Sequence, residues 1–167
     1  MEVSIRIIRV GNDPVLRQRA KVVPEINKAI EKLLDDMADT MYDADGIGLA
    51  AVQIGVAKRV VVVDVGDGLV ELINPEILEK TGGIVVASEG CLSLPGLSGN
   101  VPRAAEIKVR ALNRDGETVE FEASDLFARA IQHEVDHLDG ILFTDYLKPS
   151  EIVRASETEH KRESRQR

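Results

Sequence analysis

The 167-residue sequence lacks several features that would place a chain in a particular class of protein. Its single cysteine excludes an internal disulfide and is typical of a reducing compartment. No apolar run approaches the ~20 residues of a membrane span, and the opening residues lack the apolar block of a secretory signal. The net charge of −8 argues against stable nucleic-acid or acidic-membrane binding. We expect a cytoplasmic protein, or an organellar one if a transit peptide has been removed.

The apolar pattern predicts an α+β fold in a single domain spanning residues 1–167. Apolar residues recur every three or four positions from residue 26 to 41, which predicts an amphipathic N-terminal helix. Two hairpins are predicted: a β-branched run at residues 59–65 turns at two glycines towards 69–73, and apolar residues alternate along 107–111 and 119–123. Residues 77–87 are predicted to hold further strand, broken by two glycines.

A second helix is predicted from the N-cap at Ser124 to about Leu138, with Gly140 just past its end. This helix is apolar around much of its circumference, so we expect mostly antiparallel sheets to wrap around it. Residues 148–167 are highly charged and are predicted to form a C-terminal helix or tail.

Two of the three histidines lie four residues apart in the segment QHEVDH, residues 132–137. On a helix this spacing places His133 and His137 one above the other, with Glu134 beside the first. The pattern H-E-x-x-H is typical of a metal site whose glutamate moves a proton at bound water. The alternative is a pair of hydrogen-bonded core histidines. The metal is favoured because the two histidines continue the stripe of Leu126 and Ala130 and should face inward, where unpaired imidazoles would need partners.

A catalytic metal site needs a third protein ligand and an open position. The remaining histidine, His160, lies in the charged tail and is predicted to be a solvated bystander. Cys91 lies in SEGCLSLPG, which we expect to be an irregular segment between strands. A lone cysteine is often only a small buried apolar residue, but a thiolate with two imidazoles suits Fe(II), Zn, Ni or Co.

The segment GIGLAAVQIG, residues 46–55, contains the pattern G-x-G-x-x-A of dinucleotide-binding turns. That pattern requires a strand before it and a helix after it. The predicted order is the reverse, so we reject a dinucleotide site. What remains is a glycine-rich loop that can bring its backbone against a ligand, followed by the polar Gln53; a tight helix-to-strand turn with a surface glutamine is the alternative.

Together, GIGLAAVQ (residues 46–53), EGCLS (89–93) and QHEVDH (132–137) resemble the three signature motifs of the peptide deformylase family, in that family's order and at roughly its spacings. The stretches NDPVLR, INPEI, VPRA and LFTDYL extend the likeness to about residue 150. One departure is Val52, where the family commonly has proline, and it leaves the chemical residues intact.

The resemblance implies a metal-dependent hydrolase that removes the formyl group from the N-terminal formyl-methionine of newly synthesised proteins and releases formate. It assigns Cys91, His133 and His137 as ligands of one divalent ion. The family typically uses Fe(II) in the cell, and Zn, Ni or Co are expected in purified protein. The expected partners are N-formylmethionyl nascent polypeptides.

The same resemblance implies that a metal-bound hydroxide attacks the formyl carbon, with Glu134 as general base and then general acid. The side-chain amide of Gln53 and the backbone N–H of Leu92 are expected to donate to the formyl oxygen. A further hypothesis concerns Arg103 and Asp136, which we expect to form an ion pair that braces the ligand helix.

The substrate main chain is expected to lie as a strand against Ile47, Gly48 and Gly90. The methionine side chain is expected to enter an apolar pocket that includes Ile47, Leu126 and Ala130.

Two other functions stay open. A metallopeptidase uses the same histidine pair and glutamate, although Cys91 as a third ligand argues against it. A structural metal-binding module requires a fourth protein ligand, and the sequence suggests three. Six Lys or Arg against four Asp or Glu from Lys148 to Arg167 give weak support for a transient contact with the ribosome.

Overall fold

The computed structural model describes residues 4–155, which form one six-stranded sheet and two α-helices. The helices are α1 (Lys28–Asp43) and α2 (Asp125–Leu138). The strands are β1 (Gly48–Ala50), β2 (Val60–Val63), β3 (Val70–Cys91), β4 (Leu94–Leu112), β5 (Thr118–Ser124) and β6 (Val153–Arg154). Four short 3-10 helices cover Pro14–Arg17, Ala51–Ile54, Phe143–Tyr146 and Pro149–Glu151. The predicted α+β class, with antiparallel strands and two helices, is confirmed. The assignment of one domain to residues 1–167 stays a prediction.

The strands follow the order β1-β2-β3-β4-β5, each antiparallel to its neighbour, and β6 pairs with β4. The predicted break at Gly82-Gly83 is wrong, because β3 continues through it with a register shift between Thr81 and Ile84. Both glycines have positive φ, which lets the strand bulge without ending. The expectation of an irregular segment around Cys91 is also wrong. Strand β3 includes Cys91, and β4 resumes at Leu94.

Strand β2 is covered on both faces, which explains its unbroken valine run. Val60 and Val62 pack in the cluster of apolar side chains around α1, while Val61 and Val63 pack in the cluster around α2. All four are fully buried. Burying one such side chain stabilises the fold by about 1.5–3 kcal/mol. The sheet is therefore fixed between the two helices, and α2 contacts each strand from β1 to β5.

The ends of the helices are set by local signals. Asn27 accepts a hydrogen bond from the N–H of Ile30 and so caps the start of α1. Ser124 lies at the N-cap position of α2, as predicted, but its side chain makes no capping bond. Gly140 follows α2 with φ of +74° and donates to the carbonyl of His137.

The C-terminal part of the chain differs from the predicted charged α-helix in the residues that the structure describes. Pro149 starts a three-residue 3-10 helix, and Val153–Arg154 then pair with Leu97 and Ser98 of β4. Because that sheet edge supplies the backbone hydrogen bonds, an extended segment replaces the helix. Residues 156–167, including His160, lie outside the described residues. Among residues 4–155, no helix is long and apolar enough to cross a membrane.

Candidate metal centre and active site

The histidines of the HEVDH segment lie on α2, one turn apart, with their ring centroids separated by 5.0 Å. The end of β3 brings Cys91 to them, so that its Sγ is 3.2 Å from Nε2 of His137. The donor atoms of Cys91, His133 and His137 all lie within 4.8 Å of one another. Three residues predicted from two separate motifs are thus brought together by the strand end and the helix.

The electrostatics of this cluster fit a cation. Burial and the neighbouring His133 lower the pKa of His137 to about 3, so its ring is neutral and keeps a lone pair for a metal. Burial lowers the pKa of His133 as well, but the Cys91 thiol and the Glu89 carboxylate outweigh it and raise the pKa to about 10. The negative groups beside His133 therefore favour positive charge at that ring. A sulfur and two ring nitrogens suit a borderline divalent metal, and three ligands leave a position open.

Glu89 fixes the orientation of His133, a role that the sequence did not reveal. Its carboxylate accepts from Nδ1–H of His133 at 2.8 Å, which leaves Nε2 of that ring for a ligand. Arg103 donates to both carboxylate oxygens at 2.9 Å, and Arg129 donates at 2.5 Å. Burial raises the pKa of Glu89, but the hydrogen bonds from Arg103 and His133 outweigh it and lower the pKa to about 2. The carboxylate is therefore ionised at neutral pH. The position of Glu89 inside the EGCLS motif was the feature of the sequence that could have indicated this role.

The same arginine connects Glu89 to the ligand helix. Nη1 of Arg103 lies 2.5 Å from Asp136, the residue just before His137, so the ion pair predicted from the sequence is present. Tyr146, which sequence reasoning missed, donates its hydroxyl to Asp136 at 2.7 Å. Its ring also lies under the guanidinium, whose carbon is 5.0 Å from the ring centroid.

Glu134 carries a buried carboxylate next to the cluster. It is 2% exposed, and its Oε1 lies 3.8 Å from Nε2 of His133. In the described part of the chain its Oε2 has no hydrogen-bond partner, which is costly unless a proton donor occupies the site. Burial raises the pKa of Glu134 to about 7. A Cβ atom on Gly48 would lie 3.0 Å from Cγ of Glu134, so a side chain here would crowd that glutamate.

Gln53 is buried at the end of the Gly-rich segment, not on the surface. Its Oε1 accepts from the N–H of Ala50 at 2.9 Å, and its Nε2 donates to Oγ of Ser93 at 3.1 Å. Nε2 also lies 3.7 Å from Sγ of Cys91. The side-chain amide is thereby held beside the cluster, with one N–H directed at Ser93 and the other towards Sγ of Cys91. Leu92, the other predicted donor, follows Cys91 in the turn between β3 and β4.

A cleft of about 580 Å³ opens over these groups. All five residues predicted to bind substrate line it: Ile47, Gly48, Gly90, Leu126 and Ala130. Leu126 was expected to face the interior, but it is 49% exposed and lines the cleft from the first turn of α2. The sequence did not indicate Arg129, the hairpin tip from Leu94 to Ser98, or Ala155, which also line the cleft.

A family model described as polypeptide deformylase matches residues 5–152. The chain is 58% identical over 142 residues to the peptide deformylase of Alkaliphilus metalliredigens strain QYMF, covering 85% of this chain and 96% of that protein. The crystal structure of peptide deformylase from Thermotoga maritima is similar, with a TM-score of 0.84 and 48% identity over 87% of this chain and 99% of that one. A Met-Ala-Ser-bound class I type b peptide deformylase from Acinetobacter baumannii has a TM-score of 0.82 and 34% identity, over 88% of this chain and 100% of that one. The chain therefore belongs to the peptide deformylase family, whose members are metal-dependent hydrolases that remove the formyl group from N-terminal formyl-methionine.

Proposed function

We propose that Cys91, His133 and His137 hold the single divalent ion of this enzyme, so that the HEVDH segment of α2 works as an H-E-x-x-H motif. The support is the convergence of the three donor atoms within 4.8 Å beside an unpartnered carboxylate oxygen of Glu134 among the described residues. The soft thiol with two imidazoles admits Fe(II), which we propose for the cell, and also Zn, Ni or Co in purified protein.

Glu134 is the proton carrier in this proposal. When bound, the ion lowers the pKa of water from ~15.7 toward ~7 and polarises the formyl carbonyl. Glu134 takes a proton from the attacking water and delivers it to the departing amine nitrogen, so that formate and a free N-terminus are formed. Because burial raises the pKa of Glu134 to about 7, the group can both accept and release a proton near neutral pH.

The side-chain amide of Gln53 and the backbone N–H of Leu92 stabilise the negative charge that develops on the formyl oxygen. The amide is pre-positioned by its bonds to Ala50 and Ser93, so no reorganisation is needed when the charge appears. Losing one such donor typically lowers the rate by about 10²–10³.

The substrate main chain lies as an added strand between Gly48 of β1 and Gly90 of β3. The N–H of Asp64, the residue just after β2, donates to the carbonyl of Ile47, so the backbone groups of Gly48 point to the opposite edge, towards the cleft. The N–H of Ala50 on that edge is already bonded to Gln53, which leaves Gly48 as the next free position. The methionine side chain then enters between Ile47, Leu126 and Ala130.

Arg103 holds α2 in place through Asp136, and through Glu89 it fixes the orientation of the His133 ring. Its guanidinium is buried and bonded to both carboxylates, so one side chain ties β3 to α2 at the metal. The expected result for Arg103→Ala is a loss of both metal affinity and thermal stability. Unchanged values for both would contradict the brace.

The substrates are N-formylmethionyl nascent polypeptides, which places the enzyme in the cytoplasm where such chains are made. A transient contact of residues 148–167 with the ribosome stays a prediction, since most of that segment lies outside the described residues.

The direct test is formate release from formyl-Met-Ala-Ser by anaerobically purified protein, with metal analysis of the same sample. We expect a chelator to stop formate release and a divalent metal to restore it. The unformylated peptide is the matched control. Cleavage of a peptide bond in unformylated peptide, without formate release from the formylated one, would instead indicate a metallopeptidase.

A further inference from the structure

Both tyrosines of the chain donate their hydroxyl to an aspartate. Tyr146 bonds to Asp136 inside the network around the metal ligands. Tyr42, in the last turn of α1, donates to Oδ2 of Asp64 at 2.6 Å, on the other side of the cleft. In the described part of the chain, neither Tyr42 nor Asp64 lines the cleft, so the bond between them needs a different explanation.

The bond joins the two ends of the segment that borders the cleft. Residues 44–47 connect α1 to β1 and line the cleft along its length. At one end the segment leaves α1 after Asp43, one residue beyond Tyr42. At the other end the N–H of Asp64 donates to the carbonyl of Ile47 at 2.9 Å. Asp64 thus holds the far end through its backbone and the near end through its carboxylate.

Asp64 is itself fixed by the turn that follows β2. Its Oδ1 accepts from the N–H groups of Gly66 and Gly68 at 2.9 and 3.3 Å, which leaves Oδ2 for Tyr42. The hydrogen bond to Asp64 raises the pKa of Tyr42 to about 12, and the bond from Tyr42 lowers the pKa of Asp64. The pair is therefore a protonated phenol with an ionised carboxylate at neutral pH.

The segment between these two ties packs closely against Leu92 and Glu134. A Cβ atom on Gly46 would lie 2.7 Å from a methyl carbon of Leu92, and one on Gly48 would lie 3.0 Å from Glu134. Asp45 adopts φ of +56°, a left-handed conformation that a non-glycine residue adopts only when its surroundings hold it there. Small shifts of this segment would move the edge of β1 relative to Glu134.

We propose that Tyr42 and Asp64 form a clamp that sets the position of residues 44–48 for binding the main chain of the formylated peptide. Tyr42 is a positioning residue, since it acts through the backbone of Ile47 and Gly48. The inference rests on the substrate orientation proposed above. It predicts that loss of the hydroxyl weakens peptide binding more than it slows the chemical step.

The test is Tyr42→Phe, which removes only the hydroxyl. We expect KM for formyl-Met-Ala-Ser, and Kd for the product Met-Ala-Ser by calorimetry, to rise about threefold to tenfold, the effect of one lost hydrogen bond. The value of kcat should change less than about twofold, and metal content should be unchanged. An unchanged KM and Kd would refute the clamp.

Three variants make the result specific. Arg6→Ala breaks two hydrogen bonds, of 2.9 and 2.7 Å, to Asp36 on α1, the helix that also carries Tyr42. It therefore controls for a loss of stability in α1 and should leave KM unchanged. Asp64→Asn keeps a polar partner for the hydroxyl and should stay close to wild type, whereas Asp64→Ala should be at least as impaired as Tyr42→Phe, because it also removes the bonds from Gly66 and Gly68. An Asp64→Asn variant as impaired as Asp64→Ala would contradict a clamp based on this hydrogen bond.

A modified substrate separates the clamp from the proposed orientation. Methylating the backbone nitrogen that follows methionine removes the donor expected to pair with a strand edge. If this peptide binds the wild-type enzyme as tightly as its parent, the strand-like orientation fails and the clamp fails with it. If methylation weakens binding but Tyr42→Phe does not, the orientation stands and the clamp alone is wrong.

Discussion

Replacing Glu89 by glutamine tests whether the carboxylate behind His133 controls both the metal and the fold. Glu89→Gln keeps the shape of the side chain but removes its charge. In the variant, Arg103 and Arg129 lose the anion that they share. The hydrogen bond from Nδ1–H of His133 then goes to a neutral amide oxygen instead of a carboxylate. Partners of this kind behind a metal ligand typically change metal affinity by about 10- to 100-fold.

The cost to stability follows from the pKa of the same group. A lowering from 4.5 to about 2 corresponds to about 3 kcal/mol of stabilisation at neutral pH. This agrees with the about 3–5 kcal/mol typical of breaking one side of a buried ion pair. Because the folded-state pKa is lowered, the contribution is complete above pH 4.5 and is lost as the pH falls towards 2. The difference between wild type and variant should shrink over that interval.

The assay is urea unfolding of chelator-treated protein, together with metal competition against a chelator of known affinity. The matched control is Glu71→Gln, which breaks a bidentate pair with Arg114 at 35% side-chain exposure of the arginine. That variant should lower the free energy of unfolding by no more than about 1 kcal/mol and leave metal affinity unchanged. If Glu89→Gln behaved like this control in both measurements, the reasoning about the network would be refuted.

Three further substitutions address the proposed chemistry. Glu134→Gln should lower kcat by at least about 10², because the proton carrier is lost, while metal analysis shows a full site; normal turnover would contradict its role. Cys91→Ser should lower metal affinity and formate release together, and full activity at the wild-type metal content would exclude Cys91 as a ligand. Gln53→Ala should reduce kcat by about 10²–10³ in metal-saturated protein; an effect confined to thermal stability would assign Gln53 to packing alone.

Much of the fold could be predicted because local pattern and burial agree. The three-and-four spacing of α1 follows directly from one buried face, and the valines of β2 follow from helices on both sides. The C-terminal strand could not be predicted in the same way. Val153–Arg154 are extended because Leu97 and Ser98, distant in the sequence, offer a free sheet edge.

The proposed metal ligands could be identified from the sequence because histidine and cysteine are rare in this chain and their motifs match one family. Of the groups that support them, the Arg103–Asp136 pair was predicted, but the contacts of Glu89 and Tyr146 were not. Glu89 and Arg103 are residue types found mainly on surfaces, and only the three-dimensional structure shows that they are buried against each other. Tyr146 and Tyr42 likewise depend on partners brought close by tertiary structure.

The position of Cys91 has a practical consequence, because it is the only thiol in the chain. Its Sγ lies 3.2 Å from a ring nitrogen of His137 and borders an open cleft, so a small alkylating reagent can reach it unless coordination protects it. The fraction of intact protein that gains the mass of the reagent during brief alkylation would then give the fraction of vacant sites, without any measurement of turnover.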